Sequence, residues 1–435
     1  MTENRPHLVY ADLHIHGKYS RATSESMDIP SITHYAQTKG LTLLGTGDFT
    51  HPLWRKELRE HLKETSHDGL YASKDNPNIL FMATTEVCTI FDYQGVTKKV
   101  HHLIFCPSFE VADQVSDRLS RYGDLDADGR PMLQVSAPEL VEVVMELSRL
   151  NMVVPAHVWT PWFSLFGSIN GFDRIEDCYQ DKTQNISALE TGLSSDPPMN
   201  WRLSTLDRFT LISNSDAHSP YPYRIGREAN VFQFDDVTYG GLVEAIRTRD
   251  KRRFLFTIET DPAYGKYHYS GHRRCNLSVP GSESKRLGGV CPICRKKLTR
   301  GVEERVDALA DRPIGYELQG AVGFKHLMPL QETIAAVMNV DSEASTVVWK
   351  EYSSLVSRFG NEYNVLLSSR DELAKATDPR IAETIVRTRN DEVVVIPGYD
   401  GVYGRLDLTA VRKEVYAQRA KHSIGQSNLF DFAFD

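Results

Sequence analysis

No apolar run in this 435-residue chain approaches the length that crosses a bilayer, which excludes a helical membrane protein. The opening residues, Met1 to His7, are polar and lack the apolar core of a secretory signal, so a cytoplasmic location is expected. Cysteine is scarce: six residues in such a chain do not make a disulfide framework, and Cys88, Cys106 and Cys178 stand in apolar surroundings that suit core positions. Gly301 to Gly425 shows no repeat and no catalytic motif. A surplus of positive charge is also lacking, since the formal net charge is −8, which argues against a surface that is basic throughout.

The average conceals an asymmetry. Between Arg247 and Arg300 stand 14 Lys and Arg against four acidic residues, a local balance of +10 that leaves −18 for the rest of the chain. Such a stretch on an acidic protein fits a footprint for the phosphate backbone of a nucleic acid. Arg273, Arg274, Lys285, Arg286, Arg295, Lys296 and Lys297 are its candidate contacts. Inside the same stretch, His272-x2-Cys275 and Cys291-x2-Cys294 form two short-spaced pairs joined by a loop, the arrangement of a closed tetrahedral structural zinc site. His268 competes with His272 as the fourth ligand.

Seven apolar or β-branched runs precede residue 220: Leu8 to His16, Leu41 to Asp48, Ile79 to Glu86, Val100 to Cys106, Met152 to His157, Ile186 to Glu190, and Phe209 to His218. The segments Ile29 to Lys39, Pro138 to Leu150 and Tyr239 to Arg249 carry helical spacing. This alternation predicts an α/β fold of parallel strands with helices outside. Each run holds a His, Asp or Glu, six of them at or just before the C-terminal end, while Val100 to Cys106 carries its histidines near the start. Polar groups gathered from every strand suit the single mouth of a closed barrel better than the switch point of an open sheet.

The first run ends in Ala11-Asp12-Leu13-His14-Ile15-His16. Alternation along a strand turns both imidazoles to one face, which makes a chelate. Collecting the other strand ends gives a candidate metal set of His14, His16, Asp48, Glu86, His102, His157, Asp216 and His218, of which Asp216, His218 and Glu86 are expected to serve catalysis directly. Eight imidazole and carboxylate ligands exceed the needs of one ion, so two or three divalent ions are expected, with zinc, magnesium and manganese as candidates. Clustered ions make hydroxide from water near neutral pH and hold attacking and leaving oxygens of a phosphoryl group, which points to phosphate-ester hydrolysis.

In order, Asp12-Leu13-His14-Ile15-His16, Gly45-Thr46-Gly47-Asp48, Glu86, His102, His157 and Asp216-Ala217-His218 resemble the motifs of the PHP (polymerase and histidinol phosphatase) superfamily. The resemblance covers residues 8 to 218 and implies a distorted seven-stranded βα barrel with a di- or trinuclear site. It also favours His102 over its neighbour His101 as the ligand, because His102 and the residues after it fit the motif. Lys18 to Thr23 lacks the further histidine that many members carry there.

With its cysteine knuckle and C-terminal extension, the whole chain resembles the endonuclease Q family. That implies a nucleoid-associated repair enzyme that hydrolyses DNA on the 5′ side of uracil, hypoxanthine, xanthine or an abasic site. A base read singly must leave the stack, and Trp159 and Trp162 are candidates for its pocket. The implied organisation is a barrel over 1–262, a basic zinc knuckle over 263–300, an accessory DNA-binding region over 301–425 and a tail over 426–435. Gln426, Leu429 and Phe430 of the tail resemble peptides by which repair proteins hold a sliding clamp. A PHP phosphatase acting on a small phosphomonoester is the alternative, but such a substrate needs neither knuckle nor tail.

Overall fold

The seven expected runs all become strands, though shorter or longer than the apolar pattern suggests. In the computed structural model, which describes residues 7–411, they are β1 (His7–Asp12), β2 (Leu43–Gly45), β3 (Leu80–Tyr93), β4 (Val96–Cys106), β5 (Met152–Pro155), β6 (Ala188–Glu190) and β7 (Thr210–Ile212). The tail residues Gln426, Leu429 and Phe430 lie outside the described residues. Among the described residues no helix is long and apolar enough to cross a membrane.

Three further strands, β8 (Ala229–Phe234), β9 (Phe254–Glu259) and β10 (Gly323–His326), extend one edge, so the main sheet runs β10-β9-β8-β1-β2-β3. From β3 the pairing passes to β4 and on to β5, whereas β6 and β7 pair with each other in a separate parallel ribbon. Single contacts join that ribbon to its neighbours. Val158 N–H donates to Glu190 O (3.1 Å), and His16 N–H donates to Ala217 O (3.0 Å) beside an Ile15–Ala217 bridge. The seven strands therefore stand in a ring whose ladder is continuous from β1 to β5 and thin on either side of β6 and β7.

Two strands depart from the parallel expectation: β8 runs antiparallel to β1 and β9, and among the seven it is β4 that turns. β3 and β4 form a hairpin, paired from Ala83–Cys106 out to Tyr93–Val96, and β4 runs antiparallel to both neighbours. The turn is two residues long, with φ of 52° at Gln94 and 77° at Gly95, the geometry that matches strand twist in a tight hairpin. An antiparallel strand enters at the end where its neighbours leave. That is why the histidines stand at the start of the run Val100 to Cys106, midway along β4.

Helices cover the outside, and their ends are fixed locally. Asp28 accepts from Ser31 N–H (2.9 Å) to open Ile29–Lys39, Pro30 fills the first turn, and Gly40 closes the helix in the left-handed region. Ala137–Leu147 buries Leu140, Val141 and Val144 against Val100 and Ile104 of β4 in the larger apolar core. A second core, including Ala11, Leu13, Leu43, Met82, Leu103, Phe105, Met152 and Val154, fills the inside of the ring. After the knuckle region, β10 returns to pair in parallel with β9, and the helices Leu330–Met338, Thr346–Phe359, Glu362–Leu367 and Pro379–Arg389 follow.

Candidate metal centre

Strand β1 stops at Asp12, whose carboxylate accepts from Ser215 N–H (3.1 Å), the Ser215 hydroxyl (2.5 Å) and Gly226 N–H (2.9 Å). Beyond it the chain carries His14 and His16 into the mouth of the ring, with ring centres 5.2 Å apart. Asp48, His157 and Asp216 sit in left-handed backbone, with φ of 48°, 31° and 48°. Non-glycine residues held there mark a site that the surrounding fold over-determines.

Glu86 is the hub. Its Oε1 lies 2.9 Å from His157 Nε2 and 2.8 Å from His101 Nδ1, and its Oε2 lies 3.4 Å from His16 Nε2 and 3.7 Å from His14 Nε2. Asp216 Oδ1 stands 3.1 Å from His16 Nε2 and 3.5 Å from His14 Nε2. Two groups of ligand atoms result, each within 4.8 Å: His14, His16, Glu86 and Asp216 in one, and Glu86, His101 and His157 in the other. Glu86 is common to both groups.

The fit to divalent cations rests on more than residue type. His14 Nε2 is buried and makes no hydrogen bond, although it faces carboxylate oxygens on two sides. Its other nitrogen is held by both oxygens of Glu190, at 3.0 and 3.1 Å. Asp48 does the same for His16 Nδ1 at 3.0 Å and is itself fixed by Gly17 N–H and the Ser20 hydroxyl. Carboxylates behind imidazoles set ring orientation and leave the far nitrogen for a metal. Thus Asp48, expected among the ligands, orients His16, while Ser20 lies in the stretch that lacks the further histidine. His218 lies beside His16 with ring centres 4.4 Å apart and planes tilted by 47°, and its Nδ1 lies 3.0 Å from Asp216 O.

The electrostatics are those of a cation site filled by protons. Burial opposes charge at His14 and His16, but Glu190, Asp216 and Glu86 around the first and Asp48 beside the second hold both well above the ordinary histidine value. Burial likewise opposes charge on Glu86 and Asp216. Glu86 is nevertheless held well below the carboxylate range by His101, Arg130 and His14, and Asp216 by His14, His16 and His218. Burial pushes His101 down to about 4.

The expectation of His102 is corrected. Its Nδ1 lies 2.7 Å from the Tyr179 hydroxyl and its Nε2 2.9 Å from the Thr89 hydroxyl, on the helix-facing side of β4 with Val100 and Ile104. His101 shares the inward face with Leu103 and Phe105 and reaches Glu86. Trp159 is corrected as well. It is fully buried, donates to Asn200 Oδ1 (2.8 Å) and packs on Phe166, so it lines no open pocket. Trp162 stays at the surface beside Tyr267. Arg130 escaped sequence reading altogether: its guanidinium lies 3.3 Å from Glu86 Oε2, at the open side of the cluster. A basic residue just after a glycine in the polar loop Asp126-Ala127-Asp128-Gly129-Arg130 was the available signal.

In the knuckle, His272, Cys275, Cys291 and Cys294 bring their ligand atoms within 4.8 Å of one another. His272 takes the fourth place, with Nδ1 3.4 Å from Cys294 Sγ, while His268 stacks on Tyr269. All seven candidate basic contacts from Arg273 to Lys297 are exposed.

Residues 329–392 match the family described as the MJ0043 C-terminal domain. The protein MJ0043 of Methanocaldococcus jannaschii is 33% identical over 267 residues, which cover 60% of this chain and 32% of that one, so the match spans about a third of that relative. The lesion-specific endonuclease PfuEndoQ of Pyrococcus furiosus is similar over 94% of this chain and 99% of its own, at 32% identity and a TM-score of 0.82. A structure of endonuclease Q with a 27-mer duplex bearing an abasic lesion at the active site gives the same identity and TM-score over 94% of this chain and 100% of its own.

Proposed function

The chain belongs to the endonuclease Q family, within the PHP superfamily, and is a hydrolase acting on DNA; from that premise we propose that it cuts the phosphodiester bond on the 5′ side of uracil, hypoxanthine, xanthine or an abasic site. The observation that carries this reading is the pair of ligand groups sharing Glu86 at the mouth of the ring. Divalent ions bound there would lower the pKa of water and stabilise charge on the attacking and leaving oxygens of an in-line displacement. His14, His16, Asp216, His101 and His157 would hold them with Glu86, while Glu190 and Asp48 fix the rings. Arg130 is placed to take a non-bridging phosphate oxygen at the open side.

The surrounding parts support a DNA substrate rather than a small phosphomonoester. His272, Cys275, Cys291 and Cys294 would hold a structural zinc, and the exposed basic residues around them would contact the phosphate backbone. The single hydrogen bonds on either side of β6 and β7 support reading the ring as a distorted seven-stranded barrel over 1–262, followed by the knuckle and the accessory region over 301–425. Trp162 remains a candidate for the rim of the site, and the tail over 426–435 for a sliding clamp.

Duplex oligonucleotides with one deoxyuridine, one deoxyinosine or one abasic site, incubated with Mn²⁺ or Mg²⁺, should each yield one cut immediately 5′ of the lesion, leaving a 3′-hydroxyl and a 5′-phosphate. Release of phosphate from p-nitrophenyl phosphate with intact duplexes would favour the phosphatase. Asp216→Asn keeps the fold and removes a charge from the cluster, so it should retain lesion-duplex binding and lose at least 100-fold in cutting rate.

A further inference from the structure

The chain from Ala156 to Phe172 forms no helix or strand, yet it lies against both histidines of the second ligand group. His101 N–H donates to Phe163 O (3.0 Å), and the two rings lie 5.4 Å apart. Thr160 Oγ1 stands 3.3 Å from His157 Nδ1, the nitrogen opposite the one that meets Glu86, and Thr160 N–H donates to His157 O (3.1 Å). The loop therefore backs His101 and His157 much as Glu190 and Asp48 back His14 and His16. Phe163 sits in left-handed backbone, with φ of 60°, a conformation that such a side chain keeps only where its surroundings impose it.

The far side of this loop is gripped from beyond the knuckle. Arg305, buried on the helix Val302–Leu309, donates from Nε to Phe166 O (2.9 Å) and from Nη2 to Phe172 O (2.9 Å) and Asp173 (2.7 Å). Carbonyls of an irregular segment have no ladder to satisfy them, and a guanidinium fork meets two of them at a fixed spacing. The Asp173 side chain is 72% exposed, so its carboxylate adds little beside the two carbonyls. The same helix is fastened to the base of the knuckle. Gly301 N–H donates to the Ser270 hydroxyl (2.9 Å), that hydroxyl donates to Glu304 (2.6 Å), and Gly271, next to His272, pairs with Thr299.

Resting on the metal reading above, we propose that Arg305 is a positioning residue for the second ligand group. Its hold on Phe166 and Phe172 keeps the loop in the shape that presents His101 and His157 to the cation site beside Glu86. Arg305 acts through the loop and makes no hydrogen bond to a ligand. His14 and His16 are oriented from elsewhere, by Glu190 and Asp48, so the two groups respond unequally when the grip is lost.

The test is Mn²⁺ binding to the whole protein with zinc in its knuckle and no DNA present, read from the electron paramagnetic resonance of the free ion. Arg305→Lys keeps the charge but lacks the fork, so it should weaken one ring site about ten- to a hundredfold and leave the rest within about threefold. Unchanged binding overturns the inference, and so does an equal fall at every site, which is general loosening. Arg312→Lys removes a fork of the same kind, on Trp201 O and Asp207, away from the loop; an equal one-site loss there also overturns it. Should Arg305→Lys not fold, Thr160→Val, at the other side of the loop, must weaken the same single site. In cutting assays Arg305→Lys should raise the Mn²⁺ concentration for half-maximal rate by the same factor and spare the rate at saturation; a fall in the saturated rate alone overturns the inference. Wild-type protein with only one Mn²⁺ site in the ring would instead defeat the two-group reading, and this inference with it.

Discussion

Two adjacent histidines on β4 have opposite jobs, and single substitutions should separate them. His101→Ala removes a group that touches Glu86 and His157, so cutting should fall about 100-fold or more while thermal stability changes little. His102→Ala breaks the buried link between Tyr179 and Thr89, so unfolding should become easier by about 2–4 kcal/mol while the surviving folded enzyme cuts normally. Denaturant titration beside single-turnover rates checks both. Sequence placed the pair on a strand and, on the motif, favoured His102, whereas His101 is the one that reaches Glu86. Parity decides only once it is known which neighbours, Leu103 and Phe105, fill the ring. Protonation gives a second residue-scale prediction. His14 and His16 have pKa values raised on folding, so their contribution is complete below pH ~6.5 and is lost as pH climbs through the raised values. Glu86 and Asp216, held low, contribute above pH ~4 and lose this as pH falls through their folded values. Protein stripped of metal should therefore lose melting temperature toward alkaline pH. Saturating Mn²⁺ or Zn²⁺ should remove that decline, because a divalent ion takes over from the protons, and at 100 times its Kd it adds about 2.7 kcal/mol. Calorimetry across pH 6 to 9, with and without the ion, reads this directly.

Between elements, the firmest tie is a buried charge pair. Lys39, the last residue of Ile29–Lys39, donates to Glu362 Oε1 (2.7 Å) and to Pro222 O, and Glu362 also accepts from Leu330 N–H and the Tyr352 hydroxyl. The pair locks the accessory helices to the ring. Lys39→Met should cost about 3–5 kcal/mol, since it strands a carboxylate with no counter-charge, whereas replacing both partners by apolar residues should cost much less. Urea unfolding of the single and double variants tests the asymmetry. At this scale the sequence was readable where capping and periodicity agree, as in Ile29–Lys39, with its Asp28 cap and Gly40 stop. It was not readable where a strand changes direction. The two residues Gln94-Gly95 reverse the chain only after β3 has run on through Val87 to Tyr93, past the Glu86 that ends the expected run, so the hairpin fell outside it.

For the molecule as a whole, charge is divided: an acidic body carries a basic knuckle. If Arg295, Lys296 and Lys297 each neutralise a phosphate, changing all three to Ala should flatten the plot of log affinity against log salt by about 2.7, at ~0.9 per contact, and weaken every duplex alike. Fluorescence anisotropy at several salt concentrations measures the slope; an unaltered slope would move the footprint elsewhere. The seven strands and the convergence of their polar ends were legible because His14, Glu86, His157 and Asp216 all stand at or near the ends of apolar runs. Arg130 beside Glu86 and the return of β10 were not, because each depends on contacts between segments far apart in sequence. That returning strand bears on how the protein is made. Gly323–His326 lies on the flank of Phe254–Glu259, so until the ribosome has released residues beyond 326 a row of backbone amides and carbonyls stays unsatisfied. A chain cut short at 300 should therefore clump during synthesis instead of yielding a smaller soluble nuclease.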